Sequence, residues 1–233
     1  QLQDLVLYAS ESSDNLKQID ENTWSYNGEE FDAQYISSRV INEGTPDEDT
    51  KYTIKVEAFT PEDQTNGSMF EIVNATNFEM TNVAVQYAKR YAADDIKDGS
   101  VIYAKNKDAN ILLDNVDFIN NSVDAGNGGA VANILSKEFS LTNSIISGNT
   151  ATGNGGAIYN TSSGKTTISN ATADGNKSTG GLGGAIYTSA NMQISDSNFG
   201  TTTLNTHQNG EQNDIYIDGD ATLTFVTSDN TIS

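Results

Sequence analysis

The sequence predicts an all-β chain wound as a right-handed parallel β-helix, a solenoid with about 27–32 residues per rung. Three observations predict it. A glycine word returns every 27 or 28 residues, a five-residue word carries apolar side chains at alternate positions, and amide side chains recur at the same offset.

The glycine word is "GNGGAVAN" at Gly126, "GNGGAIYN" at Gly153 and "GLGGAIYT" at Gly181, so the offsets are 27 and 28. "GSMF" at Gly67 and "GSVI" at Gly99 read as earlier, degenerate versions, and "NDIY" at Asn213 as a late one. Glycine pairs suit corners that need positive φ or close backbone approach.

The five-residue words are "FEMTN", "ILLDN", "FSLTN", "TTISN" and "MQISD". If each is a strand, its first, third and fifth residues share one side. The first column then reads Phe78, Ile111, Phe139, Thr166, Met192, and the middle column Met80, Leu113, Leu141, Ile168, Ile194. The fifth reads Asn82, Asn115, Asn143, Asn170, Asp196, so the inward side is expected to be apolar, apolar, amide. A further apolar column holds Val85, Phe118, Ile146, Ala173 and Phe199, and three residues beyond it stand Asn121, Asn149 and Asn176.

A period of this size belongs to a solenoid, a propeller or an array. An apolar spacing of two, with abundant Gly, Asn, Thr and Ser, excludes helical repeats. A propeller blade needs about 40 residues, and the leucine-rich frame is missing. Three short strands and three turns per lap fit the period. Successive laps then lie about 4.8 Å apart, so equivalent residues stack on themselves. Stacked Asn side chains can bond amide to amide along the stack, and stacked charges would repel.

Charge follows that rule. The chain of 233 residues has a formal net charge of −20, yet residues 127–200 hold only three acids and three bases. Residues 1–66 hold 15 acids and 4 bases. So acidic a chain is a poor partner for nucleic acid or anionic membrane. Cysteine is absent, so no disulfide or thiolate metal site is expected, and no apolar run is long enough to span a bilayer. With no Met at Gln1, the chain reads as a mature or excised piece of something longer.

"GGAV" (128–131) and "GGAI" (155–158 and 183–186) resemble the Gly-Gly-Ala-Ile repeats of chlamydial polymorphic membrane proteins, and "FINN" (118–121) resembles their companion Phe-x-x-Asn repeat. "IISGN" and "ATADGN" keep the Asn and replace the Phe with Ile146 and Ala173. Similar repeats occur in autotransporter passengers and adhesin-like surface proteins. The resemblance implies a right-handed β-helix, secretion, and adhesion or display at a cell surface; it implies no catalytic residue.

Residues 1–66 lack the repeat and are expected to form irregular rungs or a cap with acidic loops, with 67–233 as the regular solenoid. "LVLYAS" (5–10), "FDAQYIS" (31–37) and "YTIKVEAF" (52–59) read as strands, with a cap expected around Trp24. A separate small β domain is the alternative.

On the strand after the glycine word both parities are apolar. One is Met69, Val101, Val131, Ile158, Ile186, Ile215, and the other Phe70, Ile102, Ala132, Tyr159, Tyr187, Tyr216. With the aliphatic column inside, Tyr159, Tyr187 and Tyr216 form an outer stripe. It would stack on sugar rings or dock a protein, or merely stack on itself. His207 reads as a surface histidine, and Asp214, Asp218 and Asp220 in "DIYIDGD" as a solvated turn rather than a calcium loop.

No metal and no cofactor is expected. The functional expectation is a secreted, surface-displayed adhesin or passenger fragment. Its side would self-associate or touch a protein or glycan of a host or neighbouring cell, in a colonisation role. The alternative is a polysaccharide lyase or glycoside hydrolase, for which Asp114, Asp117 and Asp196 would supply carboxylates. That alternative lacks basic residues for an acidic sugar: the only arginines, Arg39 and Arg90, lie outside the clear repeats.

Overall fold

Each lap of the chain lays strands on three stacked rows. The computed structural model describes residues 68–90, 98–226 and 229–232, and the backbone alone of Leu16–Gln18, Thr23–Tyr26, Glu29–Asp32, Ser38–Val40 and Tyr52–Val56. The first row is a six-stranded parallel sheet: Phe70–Ile72, Ile102–Lys105, Val131–Leu135, Ile158–Asn160, Ile186–Thr188 and Ile215–Ile217. The second begins with the long strands Asn77–Gln86 and Asn110–Ile119. It continues on one side of a corner through Glu138–Thr142, Lys165–Ser169, Met192–Ser195 and Leu223–Phe225. Beyond the corner it continues through Ile145–Ser147, Thr172–Asp174, Asn198–Phe199 and Thr231–Ile232. The third row is Lys89–Arg90, Ser122–Val123, Thr150–Ala151 and Lys177–Ser178. This is the parallel β-helix that the repeat predicts.

Register confirms the apolar columns. Ile111 lies opposite both Phe78 and Phe139, and Leu113 opposite Met80 and Leu141. Phe118 lies opposite Val85 and Ile146. All of these except Phe78 are buried, and together they line the interior of the coil. Lap lengths on the second row run 33 residues from Asn77 to Asn110, 28 to Glu138 and 27 to Lys165. They then run 26 from Thr167 to Gln193 and 31 to Thr224. The range is thus wider than the expected 27–32, because corners absorb insertions that the ladders do not.

The two glycines of each word have different reasons. Gly128, Gly155 and Gly183 sit at φ +64°, +66° and +74°, which other residues adopt only under strain. Gly129, Gly156 and Gly184 are packed against the next lap. A Cβ on Gly156 would collide with the Gly184 carbonyl.

The upstream words align one residue away from the expectation. Gly99 shares the positive φ of Gly128, so Val101 takes the place of Ala130 and Ile102 that of Val131. The inward column is therefore Phe70, Ile102, Val131, Ile158, Ile186, Ile215, and the outward one Glu71, Tyr103, Ala132, Tyr159, Tyr187, Tyr216. At the start of the third row Arg90 points inward, only 1% exposed. Its guanidinium donates to Ser68 Oγ and, at 2.9 Å, to the Asp98 carbonyl, which ties the first glycine corner to the second.

Of the N-terminal segment, Tyr52–Val56 pairs in parallel with Tyr52 opposite Val83, and Ser38–Val40 runs antiparallel to it. Thr23–Tyr26, which contains Trp24, is the middle of an antiparallel meander. The predicted strand at 5–10 and the boundary at 66 lie outside the described residues.

Candidate interaction surface

The amides divide into three columns with different roles. Asn121, Asn149 and Asn176 are fully buried and form a continuous ladder. Each Nδ2 donates to the next Oδ1: 3.0 Å from Asn121 to Asn149 and 2.9 Å from Asn149 to Asn176. Each Nδ2 also donates to a backbone carbonyl, of Val85, Phe118 and Ile146 in turn. Each Oδ1 accepts a backbone N–H of the preceding lap, so no amide atom is left bare. Two members go beyond the sequence reading. Asn176 donates to Asn205 at 2.9 Å, and Asn205 to the carboxylate of Asp214 at 2.7 Å. Asp214 is 2% exposed, so it closes a ladder rather than standing in a solvated turn.

The column Asn82, Asn115, Asn143, Asn170 is not inward, contrary to expectation. These residues and Asp196 sit at φ +47° to +58°, which turns the chain sharply and throws the fifth side chain outward. Asn and Asp are the non-glycine residues that accept this region most readily. Asn115 donates to Asn82 and Asn170 to Asn143, both at 2.7 Å, while Asn143 donates to Asp114 at 2.6 Å. The sequence missed a third, buried column: Asn133 donates to Asn160 at 2.8 Å and Asn160 to Thr188 Oγ1 at 3.0 Å. Asn133 Oδ1 has no partner, because the lap before it offers only Ala104.

The three tyrosines come together as expected and stack on one another. Tyr159 and Tyr187 have centroids 5.2 Å apart and planes 22° apart; Tyr187 and Tyr216 are at 5.7 Å and 14°. The Tyr187 hydroxyl donates to Asp218. Burial and the Asp218 carboxylate push the Tyr187 phenol well above its ordinary value, and burial with Asp98 and Asp218 raises Tyr159. Both faces of Tyr187 are thus covered and the residue is buried, whereas Tyr159 and Tyr216 each meet a neighbouring ring on one face.

The outer side of the second row is a lattice of small hydroxyl and amide side chains. Ser140, Thr167 and Gln193 form one file, and Thr142, Ser169 and Ser195 the next. From Glu138 to Ser195 these files carry no charge apart from the Glu138–Lys165 pair (2.9 Å) at their edge; one lap earlier Asp114 stands opposite Thr142, and two laps earlier Glu79 stands in the file of Ser140.

The carboxylates weighed for catalysis have structural partners. Asp114 accepts from Thr142 (2.7 Å) and Asn143, and Asp117 accepts the Ile145 N–H at 2.7 Å. Asp196 forms an outward corner. His207 is less exposed than a surface histidine: its side chain is 16% exposed, 3.5 Å from the Glu211 carboxylate. It stands in a hairpin anchored by the bridge between Thr206 and Gln212.

Fold and surface define a class, the parallel β-solenoid of near-neutral stacked laps with polar files along its side. Residues 143–161 match the Chlamydia polymorphic membrane protein (Chlamydia_PMP) repeat, a stretch that contains Asn143, Asn149, the word "GGAI" and Tyr159. That match and the solenoid bear out the resemblance to passenger-type β-helices of this kind. No curated protein and no solved structure matches the chain.

Proposed function

We propose that this chain is part of a surface-displayed passenger whose flank mediates adhesion, by self-association or by holding a protein or glycan of another cell. The repeat match supports display at a cell surface. The observation that carries the adhesive reading is the uncharged polar surface of Ser140, Gln193, Ser169 and Ser195 on a chain of net charge −20. Two such acidic rods repel each other everywhere except along a neutral strip, where hydroxyls and amides can pair across the contact. A rigid rod also repeats one weak contact on every lap, so modest interactions sum to useful avidity.

The test is a sedimentation-velocity series across concentration, paired with capture of chain-coated beads on glycan and matrix-protein arrays. Reversible self-association or saturable capture is expected. A chain that stays monomeric and captures nothing overturns the reading.

A further inference from the structure

We infer that Asn209 is a site of spontaneous covalent modification, at which the side-chain amide is lost to the Gly210 nitrogen and aspartate or isoaspartate is left at the tip of a surface hairpin. The inference goes beyond the adhesive reading and does not rest on it. The reaction needs no enzyme. The backbone nitrogen of the residue after an Asn attacks the side-chain Cγ, and a C–N bond closes a five-membered succinimide. The carboxamide nitrogen leaves as ammonia and carries off the proton of the attacking N–H. Water then opens the ring at one carbonyl or the other, which gives aspartate or isoaspartate. A following glycine favours the attack, because no Cβ obstructs the approach and the backbone turns freely.

Three Asn–Gly pairs lie among the described residues: Asn127–Gly128, Asn154–Gly155 and Asn209–Gly210. The first two stand in the glycine words, and both reacting groups are held there. Asn127 Nδ2 donates to the Asp98 carboxylate at 2.9 Å, and its Oδ1 accepts the Asn154 N–H at 2.7 Å. Asn154 Oδ1 accepts the Leu182 N–H at 2.9 Å. Gly128 and Gly155 are buried, and their N–H groups donate to the Asn154 and Leu182 carbonyls of the next lap at 2.9 and 2.8 Å. Asn209 is under no such restraint. It is exposed, and among the described residues its side-chain amide has no hydrogen-bond partner. A Cβ on Gly210 would meet nothing within 4 Å. The Gly210 N–H donates to the His207 carbonyl at 2.9 Å, inside the same turn. Releasing it opens one exposed turn beyond the Thr206–Gln212 bridge, whereas releasing Gly155 parts two laps of the coil. Local opening of the first kind is far less costly than the second.

The test is incubation of the whole chain at mildly alkaline pH and body temperature, with samples digested over several weeks and mapped by mass spectrometry. Protein isoaspartyl methyltransferase labels the isoaspartate formed. In the folded chain Asn209 should lose its amide at least about tenfold faster than Asn127 or Asn154. In concentrated urea the three sites should react at similar rates, because the restraints on Asn127 and Asn154 go with the fold. Asn209→Gln, which must close a slower six-membered ring, should keep its amide throughout the incubation. Equal rates at the three sites of the folded chain overturn the inference. So does an Asn209 amide that outlasts that of Asn127 or Asn154, or a difference in rate that persists unchanged in urea.

Discussion

The backbone N–H and the Nδ2 of Asn149 both donate to Oδ1 of Asn176, at 3.0 and 2.9 Å. One buried amide thus fixes the spacing of two laps twice, through backbone and side chain, and the same pairing recurs from Asn121 to Asn149.

Replacing Asn149 by Ala should therefore be severe. It strips partners from Asn121, Phe118 and Asn176 at once in the buried interior. Orphaned buried groups cost about 1–3 kcal/mol each, so a loss of roughly 3–5 kcal/mol is expected in urea unfolding. The exposed Asn143→Gly should cost less than about 1 kcal/mol, since Gly accepts the same positive φ. Equal losses would contradict the division between buried and corner amides.

Asn133→Ala should be milder than Asn149→Ala, because Asn133 Oδ1 already lacks a partner. Its removal forfeits one bond, to Asn160, and relieves one orphaned acceptor. Thermal unfolding of the two variants side by side decides the order.

Gly156→Ala should break the coil where Ala157→Gly only softens it. Gly156 has ordinary φ, so the damage comes wholly from a Cβ driven into the backbone of the next lap at Gly184. Loss of cooperative unfolding by circular dichroism is the expected result.

Alkaline pH should erode stability late and specifically. The phenols of Tyr159 and Tyr187 are raised in the fold above their ordinary 10.0. Above pH 10 the unfolded chain releases those protons before the folded one does. Their contribution is therefore complete below about pH 10 and is lost as pH rises toward the folded values. Absorbance titration at alkaline pH should show two late-ionising tyrosines, and Tyr187→Phe should flatten the alkaline limb of the stability curve.

Ser169→Glu should abolish self-association without unfolding the chain, since Ser169 lies on the outer file between Thr142 and Ser195. Persistence of the associated species in sedimentation would move the adhesive contact off this strip.

Much of this architecture was legible beforehand. The columns through Leu113, Leu141 and Ile168 were readable because alternation within a strand and repetition between laps are both linear in the chain. Asn205 was not, because six steps separate it from Phe199 where three separate Asn176 from Ala173, and the offset hid it. The slip at Val101 has a similar origin: "GSVI" matches "GGAV" by its glycine, and only the φ of Gly99 says so. The tyrosines were readable as a file, but ring orientation was not.

That like residues sit on like, lap after lap, follows from the primary structure alone. A rung spacing near 4.8 Å leaves each side chain its own counterpart as nearest neighbour. Which amides turn inward, and whether aromatic faces stay open, had to await the folded coil. Those outcomes depend on the sign of φ at each corner and on how closely neighbouring laps approach. Asn143 and Asn149, six residues apart, answer that question in opposite ways.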